Sequence, residues 1–143
     1  MAESVVANLP PGTATMTKEV TPSGSGAPSA TFTLQPERSG AASVSLSPDV
    51  GDTVFVALGE HGWTELLVGP REWSELVPLA RELLDAAVAG RVRERIWSRH
   101  GEYVNSLSYV ERDGRWALVG DTSRPLFRWR VQEEGRRYLP WVL

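Results

Sequence analysis

The chain has 143 residues, 41% of them hydrophobic and six of them tryptophan, so one domain with a sizeable core is the expectation. It contains no cysteine, which excludes a disulfide framework, a thiolate zinc site and a cysteine nucleophile. Its formal charge of −3 argues against a uniformly basic nucleic-acid-binding protein.

The opening residues Met1 to Val6 lack a basic segment followed by an apolar one, so no secretory signal is expected. No run approaches the roughly 20 apolar residues that cross a bilayer. These features, with zero cysteine, lead to the expectation of a cytoplasmic protein without a membrane partner.

In chain order, residues 1–42 include 27 that are Ala, Ser, Thr, Pro or Gly. Thr21 to Pro28 reads as a linker, and the segment as a whole as a flexible, disordered tail. By that reading, deletion of residues 1–40 leaves the fold intact. Two short pieces, Ser4 to Leu9 and Ala30 to Leu34, are exceptions: each holds a few apolar residues, and Phe32 and Leu34 alternate with threonines as a strand that pairs with a sheet edge would. The folded domain is then residues 43–143.

Ser43 to Ser47 alternates, Thr53 to Leu58 reads as a buried strand, and Trp63 to Val68 returns as its hairpin partner after Gly59-Glu60-His61-Gly62. Gly69-Pro70 opens a helix. Trp73, Leu76, Val77, Ala80, Leu83, Leu84, Ala87 and Val88 fall on one stripe of it, and Gly90 ends it. Pro78 is expected to kink this helix or delay its regular part.

The period then returns to two. Arg91 to Arg99, Glu102 to Glu111, Arg115 to Val119, Leu126 to Val131 and Arg136 to Val142 read as strands. His100-Gly101, Asp113-Gly114 and Glu133-Glu134-Gly135 read as the tight turns between them. The predicted class is α+β, a mainly antiparallel sheet in ββ-α-βββββ order with one amphipathic helix on one face. At least four of the six tryptophans are expected in the core, and the last predicted strand offers an edge for a homodimer.

Charge is divided along the domain. Residues 43–90 carry two arginines against eight acids, whereas residues 91–143 carry eleven arginines against seven. Arg93 and Arg95 share a strand face alongside Trp97, and Arg128 and Arg130 point away from Phe127 and Trp129. Glu94, Glu102, Glu111 and Glu133 are interleaved and can neutralise them as cross-strand pairs.

Catalytic motifs are scarce: neither nucleophile elbow, phosphate-binding loop nor metal-type histidine spacing occurs. His61 and His100 each sit in a turn beside a glycine. The expectation is therefore a non-catalytic protein-interaction domain (an inhibitor, immunity-type or adaptor protein) with no cofactor or metal. Its candidate contacts are Glu60 and Glu65 for a basic partner, and Arg93, Arg95, Trp97, Arg128 and Arg130 for an acidic one. The alternative is a nucleic-acid-binding module that uses the arginine and aromatic residues of the sheet.

Overall fold

The computed structural model describes residues 7–21, 29–48, 53–67, 73–122 and 131–142. Within them are β1 (Ala14–Thr21), β2 (Ser29–Pro36), β3 (Val44–Pro48), β4 (Thr53–Leu58) and β5 (Gly62–Leu67). The helix α1 (Trp73–Val88) follows, then β6 (Val92–Arg99), β7 (Glu102–Arg112), β8 (Arg115–Asp121) and β9 (Gln132–Arg137). The class is α+β with one helix, as the patterning predicts. The strands are split between two antiparallel sheets, ordered β1-β2-β3-β4-β5 and β8-β7-β6-β9.

The first sheet begins well before Ser43. β1 and β2 lie in the segment whose composition reads as a tail, and β2 pairs with β3 through Phe32↔Leu46 and Leu34↔Val44. Composition misleads here because threonine and serine, common in linkers, also suit a strand with one solvated face. Phe32, Leu34 and Pro36 alternate toward the core, and Leu34 is 0% exposed. On the opposite face the hydroxyls bond across strands, Thr31 to Ser47 at 2.9 Å and Thr33 to Ser45 at 3.0 Å. Ala30 to Leu34 thus pairs within the sheet.

The helix runs through Pro78. It ends in a Schellman motif: Gly90 adopts φ 67°, Arg91 N–H reaches the Ala86 carbonyl at 2.8 Å, and Gly90 N–H the Ala87 carbonyl at 3.0 Å. Its buried residues Ala80, Leu83, Leu84 and Ala87 join Val44, Val56 and Leu58 of the first sheet and Val92 and Val110 of the second. One core is therefore shared by both sheets and the helix.

Two tight hairpins set the second sheet. His100 and Gly101 adopt φ 54° and 81°, and Asp113 and Gly114 φ 50° and 73°, the paired positive values of a type I′ turn. Glu133-Glu134-Gly135, read as a turn, instead lies inside β9, which pairs with β6 through Trp97↔Glu133 and Arg95↔Gly135. The signal misled because a Gly after two acids also fits a strand position with nothing near it. The predicted strand Leu126 to Val131 falls, except for Val131, outside the described residues.

After β9 the chain is clamped. Leu139 N–H bonds the Gly40 carbonyl at 2.9 Å, Trp141 N–H the Val88 carbonyl at 2.9 Å, and Trp141 Nε1–H the Ala42 carbonyl at 2.9 Å. Arg38 reaches the Pro140 carbonyl at 2.9 Å. Tyr138 and Trp141 are buried, so of the predicted strand Arg136 to Val142 only Arg136 and Arg137 belong to β9, and the rest is a core anchor rather than one continuous edge.

Candidate functional site

Alternation on β6 separates two populations of side chains. Val92, Glu94 and Ile96 point into the core, and Arg93, Arg95 and Trp97 point out. The β6 register places Tyr109 of β7 and Arg137 of β9 opposite Arg93. The hairpin at Asp113-Gly114 carries Trp116 to the position opposite Glu111, on the same outer face.

These residues form a stacked array. The Arg93 guanidinium lies over two rings, 4.8 Å from the Tyr109 centroid and 4.5 Å from that of Trp116. Arg137 lies 5.7 Å from the same Trp116 ring, and Arg95 lies 5.2 Å from Trp97. Each such contact is worth about 0.5–1 kcal/mol at an exposed site. Together they hold the guanidinium planes in place, so that less side-chain freedom is lost on binding.

The acids treat these arginines differently. Glu133 meets Arg95 at 2.7 Å, and this hydrogen bond, more than any other contact, raises the Arg95 pKa above its ordinary value. Arg136 is paired with Glu60 and with Glu134, and Arg112 with Glu82. Among the described residues no carboxylate pairs with Arg93 or Arg137, and the buried Arg93 Nε has no hydrogen-bond partner. Gly135 lies opposite Arg95 and leaves the space above it open, in a concavity of about 450 Å³ bordered by Arg93, Glu94, Arg95, Trp116, Arg136 and Arg137.

Of the residues singled out from sequence, Arg93, Arg95 and Trp97 come together on this face. Arg128 and Arg130 lie outside the described residues. Glu60 stands in the β4–β5 turn, paired with Arg136, and Glu65 lies on β5 opposite Phe55 in register. The two acidic candidates thus stand on the first sheet and its β4–β5 turn, and the described basic ones on β6 of the second. Tyr109, Trp116 and Arg137 were missed. Trp116 was legible from the two-residue turn, which dictates its pairing with Glu111, but Arg137 was not, because no local signal joins β9 to β6.

Of the four tryptophans whose burial is described, one is core, so the expected four of six is not reached; the Trp73 side chain and Trp129 lie outside the described set. Trp141 is buried, Trp63 is 43% exposed, and Trp97 and Trp116 are half-buried on the outer face, where they support arginines instead of filling the interior.

A second polar cluster lies inside. Glu94 is 1% exposed and accepts the N–H groups of Glu60 and His61, at 3.2 and 3.1 Å, together with the Tyr138 hydroxyl. This buried carboxylate fastens the β4–β5 turn of the first sheet onto the second. Gly62 of that turn passes so close to Ser108 and Glu94 that a Cβ would overlap them. The His61 ring stacks on Tyr103 at 4.2 Å. Each donor that reaches Glu94 is an internal one, which makes the cluster a structural fastening.

No group of three or more His, Asp or Glu side chains suited to a metal ion occurs among the described residues. No helix among them is long and apolar enough to cross a membrane. Comparison with protein families, curated proteins and solved structures found no match.

Proposed function

We propose that this chain is a non-catalytic interaction domain that takes an acidic segment of a partner protein on the outer face of its second sheet. The observation that carries this reading is the Arg93 guanidinium over the Tyr109 and Trp116 rings, with Arg137 on the same tryptophan and, among the described residues, no carboxylate on either. Arginine and tryptophan are the residue types most enriched where binding energy concentrates. Guanidinium groups fixed by ring contacts are prepared for bidentate carboxylate recognition. A cytoplasmic location belongs to the same proposal and rests on the cysteine-free sequence.

The same face bears on the nucleic-acid alternative. Single strands are held by stacking bases on open ring faces. Here Trp116 and Tyr109 present faces to Arg93, and Trp97 presents one to Arg95. That leaves fewer open platforms for bases and favours an acidic protein segment.

The test is fluorescence anisotropy of the full chain with a labelled glutamate-rich peptide and with an oligothymidine of equal charge. Peptide binding that weakens with added salt and falls about tenfold or more in Arg93→Gln supports the reading. Tighter binding of the oligothymidine, lost in the same variant, would replace it with the nucleic-acid one.

A further inference from the structure

We infer that the concavity over Gly135 is a site for a phosphomonoester dianion, carried on a phosphorylated side chain of the partner. This deepens the reading of that face as an interaction surface and rests on it.

Arg93 and Arg137 are directly opposed across the β6–β9 pair, an arrangement of like charges that is unfavourable without an anion between them. The neighbouring arginines are already engaged, Arg95 by Glu133 and Arg136 by Glu60 and Glu134. Among the described residues, two guanidinium groups therefore remain without a carboxylate partner beside one concavity. A single carboxylate supplies one charge and two oxygens. A phosphomonoester supplies close to two charges and three strong acceptor oxygens, which can engage both arginines at once. Gly135 lacks the side chain that would otherwise fill the floor, and nothing lies within 4 Å of where its Cβ would stand. About 450 Å³ of space is ample for a phosphate group and the first atoms of its side chain. Two acids oppose such a ligand: Glu94, which borders the concavity but turns its carboxylate to the internal donors of Glu60, His61 and Tyr138, and Glu111, opposite Trp116 on the outer face.

The experiment is an NMR titration of the full chain, following the indole N–H of Trp116 and the amide of Gly135. The probes are a phosphoserine peptide, its unphosphorylated form, inorganic phosphate, dimethyl phosphate and acetate. The phosphoserine peptide should bind about tenfold or more tighter than its unphosphorylated form, and inorganic phosphate tighter than dimethyl phosphate or acetate. Arg137→Gln, at an exposed position, should abolish the difference, and Glu111→Gln should enlarge it. If the two peptides bind equally, or if Arg137→Gln leaves the preference intact, the dianion site is wrong. Binding of a glutamate-rich peptide would in that case still stand as a separate result. If inorganic phosphate binds through Arg137 while neither peptide binds, the partner-borne source is wrong, and the acidic-segment reading then stands or falls on the glutamate-rich peptide alone.

Discussion

The Tyr138 hydroxyl donates to Glu94, and that one carboxylate also holds the backbone of Glu60 and His61 across the boundary between the sheets. A buried carboxylate in this position would be costly without partners, and it has three donors. Hydrogen bonds to charged groups contribute about 1.5–3 kcal/mol, so Tyr138→Phe should lower stability by about 2 kcal/mol in urea denaturation. A loss below about 0.5 kcal/mol would show that the turn is held by its other bonds.

The same pair predicts a response to alkali. Burial first, and then the hydrogen bond to Glu94, raises the Tyr138 pKa above its ordinary 10.0. Since the folded-state value is the higher one, the contribution is complete below the unfolded-state value and is lost as pH rises beyond it. Stability should fall as pH rises past 10.0, with a shallower slope in Tyr138→Phe. Equal slopes for the two proteins would assign the alkaline loss to other groups.

On the helix, Leu83 is 2% exposed within the shared core. Leu83→Ala should cost about 2–5 kcal/mol by chemical denaturation. A cost below about 1 kcal/mol would contradict the helix packing described.

Gly90 and Gly114 both have positive φ, of 67° and 73°, but different surroundings. A Cβ on Gly90 would overlap Pro140 and Leu139, whereas one on Gly114 meets nothing within 4 Å. Gly114→Ala should cost about 1–2 kcal/mol from conformation alone, and Gly90→Ala clearly more. Equal costs, measured by thermal unfolding, would mean that the segment after β9 does not pack against the helix end.

Residues 1–42 supply β1, β2, Leu34 and Ala42. Their removal should abolish cooperative unfolding of the remainder, in contrast to the dispensable tail that composition suggests. A sharp transition in the truncated chain would show that residues 43–143 fold alone.

Periodicity made much of the domain readable. β6, β7 and β8 start and end within two residues of where alternation and turn chemistry place them, because each is bounded by a two-residue turn with a glycine. Local reading failed where long-range pairing decides. Nothing near Phe32 says that β3 completes its sheet, and nothing near Arg137 says that Arg93 faces it. Glu94 was legible in hindsight, since it shares its parity with Val92 and Ile96 and so had to point inward. Its partners in the β4–β5 turn and at Tyr138 were not, because they lie 33 to 44 residues away.

The most direct test of the proposed interaction face compares indole N–H signals as a glutamate-rich peptide is added to the full chain. Trp116 and Trp97 stand on the outer face of the second sheet, and Trp63 lies beside Phe55 on the outer face of the first. The Trp116 and Trp97 signals should shift with saturation while that of Trp63 stays in place. A shift of Trp63 with Trp116 unmoved would put the partner on the other sheet and contradict the role given to Arg93 and Arg137.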